Sequence, residues 1–407
     1  MTPFAPHLRR TFSVPRLTTT PDYAIINSIT ETILRSAFFI LHLKRSFTMP
    51  TPLTPAAVPL LLDWYRQNRR DLPWRESRDP YRVLVSEIML QQTRAETVKP
   101  YFHRFLATLP TVEALANADE PTLLKLWEGL GYYSRVRNLQ RAARAVMENH
   151  GGVIPADFDA LLKLPGVGRY TAGAVASIAY GIPVPAVDGN VLRVLARLTG
   201  DDTDILSPAA KKTAEATLAP LVPPDAAGDF TQSLIELGAL VCTPGEPKCS
   251  DCPLHLLCAA HREGKERELP VRIAKTKRRI EERTVLVIRL RRGDSTATVR
   301  YIALRKRPPE GLLGGLYEFP CMEGHATPEG ARSYLTALGL SVGEITPLPA
   351  AKHLFSHIEW RMIGYAVEAV AVPDAVEDWF FAPVDEVDGV YAIPSAYSAY
   401  RAYCLTL

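Results

Sequence analysis

Several features that would place a chain outside the ordinary globular class are scarce or missing here. Six cysteines in 407 residues are too few for a secreted disulfide scaffold. The most apolar piece, Ile33 to Leu43, is interrupted by Arg35 and Ser36 and is too short to span a bilayer. A large excess of positive charge is also missing. The formal net charge is +3, but residues 1–48 hold six Lys or Arg against Asp22 and Glu31. The remainder therefore carries 41 basic and 42 acidic side chains, a net of −1. Any contact with nucleic acid must come from local patches. An apolar content of 47% with 22% charged residues is that of a soluble chain, and the length suits two or three domains.

Residues 1–48 read as an extension outside the fold, ending near residue 50, with Met49 as the expected functional start. The stretch also reads as a weak signal or transit segment. Periodic sequence begins at about Pro55, where Leu60, Leu61, Trp64 and Tyr65 form one face of a predicted helix. After an extended break at Asp71 to Arg75, helical spacing returns in Leu84, Val85, Ile88 and Met89 and leaves Glu87 flanked by core positions. A carboxylate among apolar neighbours should be hard to ionise, as a general acid requires. The bland alternative is a core-edge Glu paired with an Arg. Gln91, Gln92 and Thr93, directly after the apolar run, suit reading base edges.

Leu123 to Met147 reads as helix, turn, helix, with Gly129, Leu130, Gly131, Tyr132 and Tyr133 in the turn. Arg135, Arg137, Arg141 and Arg144 follow. The pattern fits either a solvated charged face or an aromatic wedge with phosphate contacts behind it. The stretch Leu164 to Leu198 organises the rest. Leu164-Pro165-Gly166-Val167-Gly168 reads as a hairpin between two helices, the second running from about Arg169 to Gly181. Its glycines allow positive φ and leave N–H groups free for a phosphate. A third helix opens at Val187-Asp188-Gly189-Asn190, where Asp188 sits as an N-cap. Downstream, Cys242, Cys249, Cys252 and Cys258 give C-x6-C-x2-C-x5-C, a thiolate set for zinc or a [4Fe–4S] cluster.

From Arg262 to Arg283, nine Lys or Arg against five Glu make a linker that also suits DNA contact. Strand-like sequence follows at Thr284–Leu290 and Arg300–Arg305. His353 and His357, four apart, read either as a metal pair or as exposed strand tips. Cys321 and Cys404 have no evident partner.

The Glu87 segment Ser86 to Thr93, the hairpin with Asp188 and the cysteine spacing resemble the MutY-type adenine DNA glycosylases of the helix-hairpin-helix, iron–sulfur superfamily. Gly311 to Pro320 looks like their Nudix-type C-terminal domain, and Phe355-Ser356-His357 like their 8-oxoguanine loop. The resemblance covers about Pro52 to Leu407. It implies an α+β multidomain chain: an all-α glycosylase domain over 51–262, a linker at 263–283 and an α/β Nudix-like domain over 284–407. It implies Glu87 as the acid, Asp188 as the stabilising carboxylate, and Tyr170 and Asn190 as positioning groups. DNA contacts would come from Arg75, Gln91, Gln92, Thr93, Leu130, Tyr132, Gly166, Gly168, Phe355, Ser356 and His357. The four cysteines would hold a [4Fe–4S] cluster and brace a loop carrying Lys248. The partner would be double-stranded DNA with 8-oxoguanine:adenine or guanine:adenine mispairs, met by a monomer in a bacterial cytoplasm, at the nucleoid and not at a membrane. Where hydrolysing Nudix domains carry metal-binding Glu residues, this chain has Arg332 to Leu340 without them, so nucleotide hydrolysis is not expected. A bifunctional glycosylase/lyase is the rival reading. It needs an amine, usually a Lys just after the hairpin; position 170 is Tyr and the nearest Lys is Lys163. A non-catalytic damage reader would not need both Glu87 and Asp188.

Overall fold

Helices occupy residues 57–263, and a sheet with helices against it follows from residue 279. The structure is a computed structural model and describes residues 54–273, 278–293, 298–373, 376 and 378–405; the expected extension lies outside the described residues. The helices are α1 (Ala57–Asn68), α2 (Pro80–Leu90), α3 (Ala95–Thr108), α4 (Val112–Asn117), α5 (Glu120–Leu126) and α6 (Ser134–His150). They continue as α7 (Phe158–Leu162), α8 (Arg169–Tyr180), α9 (Gly189–Thr199), α10 (Pro208–Leu218), α11 (Ala227–Leu240) and α12 (Ala259–Glu263).

Local sequence explains many starts. Asp79 accepts from Tyr81 N with Pro80 at the first helical position, and Asp119 and Ser207 cap α5 and α10 in the same way. The helices bury two apolar groups. One gathers Val85, Met89, Phe102, Phe105 and Trp127. The other joins α1 to α9 and α11 through Leu61, Val191, Leu195, Phe230 and Leu234. On α1 the buried face differs from the expected one: Leu61, Leu62 and Tyr65 are inside while Leu60 is exposed.

The seven strands are β1 (Arg279–Gly293), β2 (Thr298–Lys306), β3 (Tyr317–Glu318), β4 (Cys321–Glu323), β5 (Ser341–Leu354), β6 (Ile358–Ala371) and β7 (Trp379–Pro383). Their order is β3-β2-β1-β6-β5, with β4 on β1 and β7 on β2; β1 and β6 pair in parallel, and the other pairs among the described residues are antiparallel. Alternation along β1 sorts the two faces. Val285 and Val287 pack with Tyr397 and Tyr400, from the C-terminal end where α14 (Val384–Val390) and α15 (Ser398–Leu405) lie. Leu286 and Ile288 pack with Ala331 and Leu335 of α13 (Pro328–Ala337). β1 starts before residue 284 because Arg279 to Arg283 find a parallel partner in Ile358 to Met362, which polar sequence did not announce.

The sheet region is docked on the helices. Arg137 donates to Gly314 O (2.7 Å), Lys125 to Tyr391 O (3.1 Å), and Glu128 accepts from Ile393 N and Arg401. Leu316 and Ala392 enter the first helical core.

Candidate active site

Glu87 lies on α2 among Val83, Leu84 and Ile88 and is only 6% exposed. Tyr170, on the first turn of α8, donates its hydroxyl to Glu87 Oε2 at 2.6 Å. Burial pushes the Glu87 carboxyl up to about 7; the Tyr170 hydrogen bond opposes this and the nearby charge of Asp188 adds to it. Glu87 is therefore poised to hold a proton near neutral pH and to give it up. Burial and the neighbouring carboxylates hold the Tyr170 phenol well above its usual range, so it remains a donor.

Asp188 is the N-cap of α9. Its Oδ1 accepts from Val191 N at 2.8 Å and its Oδ2 from Asn190 Nδ2 at 2.7 Å. Burial raises its carboxyl while these hydrogen bonds and Arg193 pull it back. Behind Asn190, Arg193 donates to Asn190 Oδ1, Gly238 O and Cys242 O, so the carboxylate is held through two side chains to the start of the cysteine loop. α11 comes so close that a Cβ on Gly238 would sit 2.6 Å from Asn190 Cβ.

Glu87, Tyr170, Asp188, Asn190, Gln91, Gln92, Thr93, Gly166, Gly168 and Arg75 all line one cavity of about 1190 Å³. Gly166 has φ +73° and rests against Asn138, so a side chain there would collide; Gly168 is an ordinary N-cap and not the second left-handed residue expected. Arg75 does not face outward. Its guanidinium binds Gln232, Arg70 O and both oxygens of Glu236. Glu236 is fully buried, and Arg70 joins it through its backbone N–H and side chain. Burial pushes Glu236 up, but the two arginines outweigh it and bring its carboxyl down to about 2. Sequence reading missed Glu236 and Arg70, which are 166 residues apart.

Arg135 overturns the reading of its helix as a row of phosphate contacts. It is buried and donates to Ile88 O, Met89 O, Gln91 O, Leu130 O and Gly131 O. It thereby ties the loop of Gln91 to Thr93 to the glycine turn. Arg137 and Arg144 are likewise spent, on Glu120 and Gly314 O and on Ala116 O. The tips so fixed are exposed and left-handed: Gln92 at φ 59° and Tyr132 at φ 48°. Leu130, expected at the DNA, packs in the core instead, because the turn points it inward as it turns Tyr132 out.

The Phe355–His357 loop joins β5 to β6, and Ser356 Oγ lies 3.3 Å from the Tyr132 hydroxyl. Phe355, expected among the DNA contacts, is half-buried. Its ring packs edge-on to Trp360 (4.8 Å) and His353 (4.6 Å), leaving Ser356 and His357 exposed at the tip. α13 carries Glu329 as its acidic residue and no carboxylate pair.

Cys242, Cys249, Cys252 and Cys258 line a second cavity with Val194, Leu198, Leu237 and Val241. Burial pushes the Cys252 thiol up to about 12 and raises Cys249 and Cys258. Ionising the raised thiols needs a cationic centre beside them, so the set of four sulfur donors fits a metal cluster. Arg197, buried, donates to Cys242 Sγ at 3.3 Å. His261 and Glu266 approach Cys249 within 4.8 Å.

Residues 85–224 match the family model of the HhH-GPD superfamily base excision DNA repair proteins, and 295–402 match that of the NUDIX domain. A thermostable thymine-DNA glycosylase of known structure covers 51% of the chain and 96% of itself, at 32% identity and a TM-score of 0.47. The adenine DNA glycosylase of Homo sapiens is 36% identical over 83% of this chain and 71% of its own length. That of Schizosaccharomyces pombe is 35% identical over 84% of this chain and 88% of its own, and the chain belongs to the adenine DNA glycosylase family.

Proposed function

We propose that the protein removes adenine mispaired with 8-oxoguanine or guanine, flipping the nucleotide out of the duplex and hydrolysing its N-glycosidic bond. The observation that carries this reading is a buried carboxyl of pKa about 7, Glu87, facing the same cavity as Asp188. Adenine leaves poorly as an anion. Glu87 donates its proton to N7, the bonding pair at C1′ passes to the base, and neutral adenine departs. Positive charge left on the sugar is met by the Asp188 carboxylate, held toward it by Val191 N–H and Asn190. Water attacks C1′ and its proton returns to Glu87. The buried ion pair of Arg75 and Glu236, its donors and acceptors spent on each other, Arg70 and Gln232, forms a rigid part of the cavity wall. Gln92 and Tyr132 fill the stack, while Ser356 and His357 read the opposite base. A lyase would need an amine at the sugar. Tyr170 is committed to Glu87, and the lysine that lines the cavity is Lys211.

The same reading assigns 51–262 to glycosylase chemistry, 263–283 to a linker whose last five residues already form part of β1, and 284–407 to damage recognition. The four cysteines would hold a [4Fe–4S] cluster in a structural role, and the loop between Cys242 and Cys249 would then carry Lys248 toward the DNA backbone. A single-turnover assay on an 8-oxoguanine:adenine duplex tests the function. Release of adenine with an intact abasic strand is expected; no release, or strand cleavage trapped by borohydride, would contradict it. Metal analysis tests the cluster: about four irons per chain are expected, and zinc without iron would refute it.

A further inference from the structure

The tip of the β5–β6 hairpin is held from outside the hairpin. Within it, Phe355 N donates to Ile358 O at 2.8 Å and closes the turn. The two carbonyls flanking Ser356 are taken by consecutive residues that lead into β1. Arg278 Nε donates to Phe355 O at 2.9 Å, and Arg279 N donates to His357 O at 2.9 Å. The next residues along β1 hold the floor beneath. Glu281 accepts from Trp360 Nε1 (2.9 Å), and Arg283 stacks on the Trp360 ring at 4.1 Å. Trp360 in turn seats Phe355.

These contacts differ in kind. The Arg279 bond is main chain and forms wherever β1 pairs with β6. The Arg278 bond is a charged side chain on one carbonyl, and it fixes the rotation of one peptide plane. That plane is rigid and trans, so clamping the Phe355 carbonyl points the Ser356 N–H in the opposite direction, away from Arg278. The Ser356 N–H and hydroxyl then form a preset pair at the exposed tip.

We infer that Arg278 is a specificity-positioning residue: by clamping the Phe355 carbonyl it presets the Ser356 peptide that reads the base opposite adenine. The inference rests on the role given above to Ser356 and His357. It is independent of the cleavage chemistry, since Glu87 and Asp188 line a different part of the molecule. Arg278 is exposed, so replacing it leaves the core untouched.

The test compares the parent protein with Arg278→Met and Arg278→Lys on 8-oxoguanine:adenine and guanine:adenine duplexes, measuring both affinity and the single-turnover rate at saturating enzyme. Arg278→Met should narrow the affinity preference for 8-oxoguanine:adenine by roughly five- to tenfold, the loss of one charge-assisted hydrogen bond. Arg278→Lys should recover part of it, with saturated rates close to the parent's. An unchanged preference would overturn the inference. So would an equal loss on both duplexes, which would make Arg278 a phosphate contact. A parent that shows no preference would sink the reading of the loop itself, and this inference with it.

Discussion

Glu87 and Glu236 line the same cavity, both out of water, and their acidities lie far apart: about 7 for one and about 2 for the other. Burial pushes both up. Glu87 meets that push with a single phenol, from Tyr170, and its two charged neighbours, Asp188 and the more weakly acting Arg75, oppose each other. Glu236 is met by two guanidinium groups and a backbone N–H. One acid is therefore kept loaded with a proton, and the other is a fixed anion that holds Arg70 and Arg75 in place. Burial makes a carboxyl sensitive to its partners, and the partners decide which task it can do.

The comparison can be broken most severely at Asp188, another carboxylate of the same cavity. Asp188→Asn should slow adenine release by roughly a thousandfold or more, since the charge that meets the sugar cation is lost. Asn also caps helices, so α9 and mismatch binding should survive. Release near the parent rate would end the assignment.

Glu87→Gln should cost roughly a hundred- to ten-thousandfold in rate, the range for a positioned general acid. It should also stabilise the fold at alkaline pH. Between the ordinary 4.5 and about 7 the folded chain keeps a proton that the unfolded chain releases, so stability falls as pH rises through that window. The gap corresponds to about 3 kcal/mol. Melting temperatures of variant and parent should converge at about pH 4 and separate above about pH 7 in favour of the variant. Equal melting at high pH would mean that Glu87 is not held protonated.

Glu236→Gln should act in the opposite sense and destabilise by roughly 3–5 kcal/mol, because it leaves two arginines without their counter-charge. Denaturant unfolding measures this, and a neutral result would show that the pair is not what orders the cavity wall. Replacing Ser356 and His357 together by Ala should have the smallest effect. It should lower affinity for 8-oxoguanine:adenine by about 1–3 kcal/mol more than for guanine:adenine, with saturated cleavage unchanged. Equal losses on both duplexes would make the loop a clamp without specificity.

Glu87 stood out as a lone acid within Val83 to Met89 that breaks an apolar period, a pattern that a core-edge Glu paired with an Arg would give as well. Asp188 taken alone reads as the N-cap of an amphipathic helix. The resemblance of the hairpin, the Val-Asp-Gly-Asn run and the cysteine spacing to a glycosylase family implied the roles of both. What escaped reading is what the fold assembles from afar. Nothing around Glu236 marks it, since its meaning comes from Arg70 and Arg75 across 160 residues or more. Arg135 sits in an arginine-rich run that reads as a surface; only the turn closing over it shows that its charge is spent on five carbonyls. Phe355 is seated by Trp360 and His353, a contact that the Phe-Ser-His sequence does not announce. Periodicity reports which face is buried, and it does not report who waits there.

The central claim is that Glu87 is a loaded acid near neutral pH, and the pH profile of single-turnover adenine release tests it most directly. On an 8-oxoguanine:adenine duplex at saturating enzyme, the rate should be level below about pH 7 and fall roughly tenfold per pH unit above it, as Glu87 loses its proton. A rate that stays level from about pH 6 to about pH 9 would show that the departing adenine takes its proton from somewhere else.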